Sequence, residues 1–329
     1  METQSSIQLS VVATIYNDDA IVPLLVNEII KNVEPLEINY EIILVNDCST
    51  DKSDEYIKIE CAKNTNVKGI TLRRNFGQQI AMSVGMRYAR GKCIVIMDGD
   101  LQNPPHEIPR LYDEILKGYD IVYTVSKTRN SILNELSSSL FWFILTKIFG
   151  VEIVKNQLMM KIMSGAFVER YNEYNEIMRT VSGIVRDISS HYQVLYVENQ
   201  TRKNGKSNYN FIKRFNLMID IFISLSNAPL NMMISVGLLT FLLTNLISLY
   251  YVIQYLFFDV PAGFTSIILT IVFFGSLIVL LLGFIGRYLS NIYTEVRRRP
   301  LFHIKRVYNI GILKNENTEN RHSDIQESI

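Results

Sequence analysis

Two apolar runs late in the chain limit its fold more than any other feature. No Asp, Glu, Lys or Arg occurs in residues 221–258 or in residues 260–286. Within them, residues 232–258 and 264–285 are each long enough, at about 1.5 Å per helical residue, to cross about 30 Å of hydrocarbon. The loop between them, around Asp259, Pro261 and Gly263, carries no Lys or Arg. Lys203, Lys206, Lys213 and Arg214 precede the pair, and Arg287, Arg297, Arg298 and Arg299 follow it. The positive-inside rule then predicts a transmembrane hairpin with both flanks in the cytoplasm. That excludes a wholly soluble enzyme, a disordered chain and a collagen-like fibre.

The flanks divide the rest. Phe211, Phe215, Ile219 and Phe222 recur at helical spacing while Lys213, Arg214 and Asp220 mark other faces. The pattern fits a helix lying in the membrane interface, or one packed on the soluble domain. The expected organisation is a cytoplasmic domain over residues 1–209, an interface helix over 210–228 and two membrane helices over 229–290. A juxtamembrane segment with a disordered tail then fills 291–329. Residues 1–10 have neither a basic start nor a long apolar core, so no cleavable signal peptide is expected. Localisation follows as a multi-pass inner (plasma) membrane protein with its larger domain cytoplasmic.

A formal net charge of +1 gives no support to a nucleic-acid binder. Cys48, Cys61 and Cys93 form no CxxC pair, which favours buried reduced thiols over a disulfide framework or a zinc site.

Before the membrane half, strand-length apolar runs alternate with helical patterns. Residues 9–15, 41–45, 67–72 and 93–97 read as strands; residues 21–33, 54–63, 78–90 and 107–117 read as helices. Later strands fit residues 121–124, 158–163 and 194–197, and residues 131–149 look helical. Such alternation predicts an α/β domain with a mostly parallel sheet. Polar residues gather after each strand: Tyr16, Asn17 and Asp18; Asn46 and Asp47; Arg74 and Asn75; Asp98 and Asp100. The carboxyl ends of strands line the ligand crevice in open α/β sheets, so these groups converge on one site. No G-x-G-x-x-G or G-x-x-x-x-G-K-[ST] occurs, which removes the main support for dinucleotide and P-loop readings. Instead Asp98-Gly99-Asp100 places two carboxylates just past a buried strand. Hard oxygen ligands so spaced suit a divalent ion that neutralises a departing diphosphate.

These segments resemble glycosyltransferase family 2 of the polyprenyl-phosphate type, over nearly the whole chain. The likeness runs through Val11-Val12-Ala13-Thr14-Ile15-Tyr16-Asn17-Asp18, then Glu41-Ile42-Ile43-Leu44-Val45-Asn46-Asp47-Cys48-Ser49-Thr50-Asp51. It continues in Arg74-Asn75-Phe76-Gly77-Gln78 and in Asp98-Gly99-Asp100-Leu101-Gln102-Asn103-Pro104-Pro105. Arg202, Gly205, Ser207 and Tyr209, and the stretch from Gly286 to Pro300, match later family segments.

The resemblance implies a GT-A fold and an inverting transfer of one sugar from a UDP- or GDP-sugar to a polyprenyl phosphate. It implies Thr14, Tyr16, Asp18, Asp47, Asn75 and Asp98 around the nucleotide-sugar. Asp98, Asp100 and Gln102 would hold Mg²⁺ or Mn²⁺. Lys127, Arg129, Ser138, Arg202, Lys206 and Ser207 would face the acceptor phosphate. Asp98, Asp100, Arg202 and Lys161 would carry the chemistry. A lipid bilayer is the remaining partner; a homo-oligomer is left open, as are the sugar and nucleotide. A processive polysaccharide synthase and an inactive nucleotide- or lipid-binding membrane module are the alternatives. Against the first, the only tryptophan, Trp142, follows Ser139-Leu140-Phe141, so the QxxRW segment of such synthases is missing.

The chain departs from the family pattern at Thr14, Asp18 and Asn46. It also departs in Gln157-Leu158-Met159-Met160-Lys161-Ile162-Met163, where Lys161 replaces an arginine and no acidic residue occurs. A phosphate monoester is mostly dianionic near pH 7 and needs no base to become a nucleophile. Cations such as Lys161, Arg202 and Lys206 would suffice to position it.

Overall fold

In the computed structural model, the alternating pattern becomes one eight-stranded sheet. Residues 6–101, 103–126, 154, 157–174, 184, 188, 191–197, 239, 243, 246, 253, 263–297 and 300–310 are described. Strands β1 (Leu9–Ile15), β2 (Tyr40–Asn46), β3 (Val67–Leu72) and β4 (Cys93–Asp98) alternate with helices α1 (Ile21–Val33), α2 (Ser53–Lys63) and α3 (Gln78–Tyr88). A 3-10 turn and α4 (Ile108–Ile115) lead into β5 (Ile121–Ser126). Then come β6 (Gln157–Ser164), α5 (Gly165–Glu173), β7 (Tyr192–Val197), α6 (Phe264–Val296) and β8 (Ile304–Tyr308).

The strand order is β7-β5-β6-β4-β1-β2-β3-β8. The β4-β1-β2-β3 block is parallel throughout, as is the β5–β7 pair, while β6 and β8 run antiparallel to their neighbours. The chain leaves β1 on one side to build β2 and β3, then returns to its other side with β4. That reversal opens a crevice between the carboxyl ends of β1 and β4, where an α/β sheet takes its ligand. Thr14 and Asp98 are register partners there.

Helices cover both faces, so the central strands are buried on each side rather than alternating with polar residues. One core unites Leu9, Val11, Ala13 and Ile15 of β1 with Val22, Leu25 and Ile29 of α1 and Leu111 of α4. The opposite core joins Val12, Val45 and Ile96 to Met82 and Val84 of α3 and Phe167 and Tyr171 of α5. The parallel-sheet expectation holds, with no boundary moved by more than two residues.

The sequence gives no sign of β8. Residues 304–308 read as juxtamembrane chain, yet Gly69 pairs with Tyr308, Ile70 with Val307, Thr71 with Arg306 and Leu72 with Ile304. Helix α6 also runs further than its apolar run, as one helix of 33 residues and roughly 50 Å at about 1.5 Å per residue. Taken over the described residues alone, no helix is long and apolar enough to cross a membrane. A bilayer role for α6 therefore rests on its sequence, charge-free from Phe264 to Gly286. The expected helix over 131–149, the interface helix over 210–228 and the tail over 314–329 lie outside the described residues. Most of the first apolar run does too.

Candidate active site

At the β1/β4 crevice lies a cleft of about 440 Å³ lined by Thr14, Tyr16, Asp18, Asp47, Asn75, Gly77, Gln78, Asp98 and Asp100, with Ile15 and Gly99. Each comes from the end of a parallel strand or the turn after it, except Gln78, which opens α3. Tyr16 stands 53% exposed at the cleft, an aromatic face open to a planar ligand.

The acid pair is built by tight packing. The Gly99 N–H donates to the Thr14 carbonyl at 3.1 Å. A Cβ on Gly99 would lie 2.6 Å from that oxygen and 2.5 Å from Ile15 Cδ1. Only glycine lets the Asp98-Gly99-Asp100 turn press onto β1. Asp98 accepts from Gln78 Nε2, and from Asn103 Nδ2 at 3.3 Å. Burial, then the neighbouring Asp100 charge, push the Asp98 carboxyl up to about 6. Lys161 lies behind, 2% exposed, with Nζ 5.5 Å from the Tyr123 ring centre. Burial pulls its ammonium down to about 8 against the opposing pull of Asp98.

Two carboxylates that repel each other at a polar opening suit a divalent cation. Among the described residues no group of three or more His, Cys, Asp or Glu gathers into a metal cage. A hard cation shared with substrate phosphates needs only one or two carboxylates, so Asp98 and Asp100 fit that arrangement.

A pH test follows. Because the folded-state pKa of Asp98 lies above its ordinary 3.8, its stabilising contribution is present below pH about 4 and lost as pH rises through about 6. Without divalent cation, Asp98→Asn should therefore gain thermal stability relative to wild type between about pH 4.5 and 7. Adding Mn²⁺ should favour wild type and erase that gain. A gap constant with pH in melting curves would contradict the assignment.

Asp47, expected as a nucleoside contact, lines the cleft and also has backbone partners. It is 3% exposed, and its two oxygens accept the Phe76 and Gly77 N–H groups, each at 2.8 Å. Burial raises its carboxyl, while these two bonds pull the other way. Asp47 lines the cleft and also pins the turn after β3. The turn after β1 is stitched to that after β2. Asn17, in the left-handed region at φ 50, accepts from the Thr50 N–H at 2.8 Å and donates its own N–H to Ser49 Oγ at 3.0 Å. The Asp19 N–H donates to Asp51 Oδ2 at 3.0 Å.

The cleft thus gathers Thr14, Tyr16, Asp18, Asp47, Asn75, Asp98 and Asp100 of the expected residues. Lys161 is placed behind Asp98 rather than among the lining residues. Gln102, Lys127, Arg129, Ser138, Arg202, Lys206 and Ser207 lie outside the described residues. Gln78 and Asn103, which hold Asp98, were missed as site residues; their place in the two matched segments was the available signal.

Residues 10–171 match the family model for glycosyl transferase family 2. The glycosyltransferase sll0501 of Synechocystis is 30% identical over 94% of this chain and 98% of its own length. An undecaprenyl-phosphate 4-deoxy-4-formamido-L-arabinose transferase of Photorhabdus laumondii is 33% identical over 91% of this chain and 94% of that protein. Among solved structures, glucosyl-3-phosphoglycerate synthase from Mycobacterium tuberculosis, in complex with Mn²⁺, UDP and glucosyl-3-phosphoglycerate, aligns with a TM-score of 0.44. It is 17% identical, covering 66% of this chain and 77% of that one.

Proposed function

Taking as premise that the chain belongs to glycosyl transferase family 2, we propose that it transfers one sugar, with inversion, from a UDP- or GDP-sugar to a polyprenyl phosphate. The product would be a lipid-linked sugar donor for cell-surface glycan modification. The observation that carries this reading is the acid pair Asp98 and Asp100 in a polar cleft at the sheet's switch point. Long-range similarity to undecaprenyl-phosphate sugar transferases supports the acceptor class.

Asp98 and Asp100 would hold Mg²⁺ or Mn²⁺, which supplies charge neutralisation on the departing diphosphate. Gln78 and Asn103 fix the Asp98 carboxylate by donating to it. Lys161 lowers the cost of that buried negative charge from behind. Tyr16 offers its face to the base, and Asp18 and Asn75 their polar atoms to the donor. Asp47 keeps the turn that carries Asn75 in place. Arg202, Lys206 and Ser207, with Lys127, Arg129 and Ser138, are the proposed acceptor-phosphate set.

The membrane arrangement belongs to the same proposal. The run over 232–258 and the apolar part of α6 would form a hairpin, its flanks cytoplasmic and its Asp259 loop outside. About 20 helical residues span the hydrocarbon, so the rest of α6 would continue into the cytoplasm toward the sheet.

Acceptor choice provides the test. A phosphate monoester arrives ionised and asks only for positioning and charge offset, whereas an alcohol needs a base. Purified protein should transfer sugar to polyprenyl phosphate and not measurably to the matched polyprenol. The acid limb of the rate should follow phosphate ionisation, roughly near pH 6 before shifts from nearby charges. Equal transfer to the alcohol would overturn the proposal.

A further inference from the structure

The segment after α6 packs back onto the edge of the sheet. Asn309, in the left-handed region at φ 56, donates Nδ2 to the carbonyls of Cys61 at 2.6 Å and Val67 at 2.8 Å, and to Asn64 at 3.4 Å. It thereby ties the end of α2 to the start of β3. Arg306 donates to Asp54 Oδ2 at 2.8 Å, and the Tyr308 hydroxyl reaches the same carboxylate at 3.4 Å. The other oxygen of Asp54 accepts from Thr71 Oγ1. The sheet has made room for this strand: a Cβ on Gly69 would lie 2.8 Å from the Tyr308 ring and 2.5 Å from Ile57.

These contacts continue into the cleft. The Arg73 N–H donates to the His303 carbonyl at 2.8 Å, extending the β3–β8 pairing into the turn that follows β3. The Arg73 carbonyl accepts from the Cys48 thiol at 3.6 Å, beside Asp47. Phe302, Ile304 and Ile310 pack on the same core as Phe76 and Ile80. Three residues after Arg73, the turn presents the N–H groups that Asp47 holds, and Gln78, which follows it and opens α3, holds Asp98.

We propose that β8 and Asn309 are positioning elements of the catalytic site: the strand that follows α6 sets the 73–77 turn, and through it Asn75, Asp47 and Asp98, in donor-binding geometry. The role of the turn in holding the donor rests on the reading above. Without β8, β3 becomes an open edge whose last residues are free to fray. A strand that merely covered an edge would stabilise the sheet and leave ligand affinity alone. A positioning strand must alter both.

The test uses the full-length protein in detergent. Asn309→Gly keeps the left-handed backbone and removes the side-chain donor; Arg306→Ala removes the tie to Asp54. Lys305→Ala, on the exposed face of the same strand, is the control. The double variant should exchange amide hydrogens of residues 69–77 about tenfold faster than wild type, with β1 and β4 unchanged. Its Kd for UDP or GDP in Mn²⁺, by calorimetry, should rise about tenfold. The control should move neither reading. Faster exchange with unchanged nucleotide affinity would overturn the proposal, as would no change in either. If the double variant also loses protection in β1 and β4, Arg306→Ala alone decides by the same two readings. A wild type that bound neither nucleotide would instead remove the donor reading, while exchange would still decide whether β8 holds the turn.

Discussion

Replacing Asp100 by Ala should lower sugar transfer by about a thousandfold or more while leaving the sheet folded. The expectation comes from the number of carboxylates available. Of the four acidic residues lining the cleft, only Asp98 and Asp100 act on each other as a pair, at the end of β4, and no larger cluster of metal-ligating residues occurs among the described residues. Removing one halves the negative charge offered to a divalent cation. Charge stabilisation of a departing diphosphate is worth several kcal/mol, and a loss near 4 kcal/mol corresponds to about 10³ in rate. Stability should not fall, because Asp100 repels the buried Asp98 in the absence of metal. Initial rates with Mg²⁺ or Mn²⁺ and a thermal melt check both halves. Near-normal rates in the variant, or full wild-type activity in EDTA, would contradict the assignment.

Asp47→Ala should be the other severe change, by a different route. Each Asp47 oxygen accepts one backbone N–H at 2.8 Å. Hydrogen bonds to charged groups contribute about 1.5–3 kcal/mol each, offset in part by the cost of burying the carboxylate. The substitution leaves the Phe76 and Gly77 N–H groups without this partner, and a loss of about 2–4 kcal/mol is expected. The turn carrying Asn75 then loses its anchor, so the donor KM should rise steeply. Asp47→Asn, with a single acceptor oxygen, should fall between. Chemical denaturation and donor titrations separate the two effects. An Ala variant with normal donor KM would leave Asp47 a purely structural residue.

Much of this architecture was legible because local pattern and tertiary position agree. The strand ends of β1 to β4 could be read from apolar runs that stop abruptly at polar residues, and a parallel sheet brings those ends together. Asp98 and Asp100 stood out because a glycine separates them just after a buried strand. Lys161 was readable as a cation but not as a buried one, because its burial and its place behind Asp98 depend on β6 pairing antiparallel to β4. The second part Asp47 plays, pinning a turn as well as lining the cleft, was not legible, because nothing local announces that the turn 29 residues on will present two N–H groups to it. β8 was hidden for a similar reason. Its residues, Ile304-Lys305-Arg306-Val307-Tyr308, are mostly exposed, and what fixes them is α2 and β3 rather than their own hydrophobicity.

The β3–β8 pairing also imposes an order on synthesis. Arg306 and Asp54, which meet in the finished protein, are separated by 252 residues. Local strand–helix units such as β1-α1-β2 can form as soon as they leave the ribosome, but a contact so distant in sequence must wait. Until residue 308 has emerged, β3 faces solvent with an unpaired backbone edge, the kind of surface on which nascent chains aggregate. If α6 enters the bilayer as proposed, that insertion returns the chain to the cytoplasm ahead of β8. Membrane insertion then precedes closure of the sheet edge, and a chain that fails to insert carries its exposed edge into the cytosol.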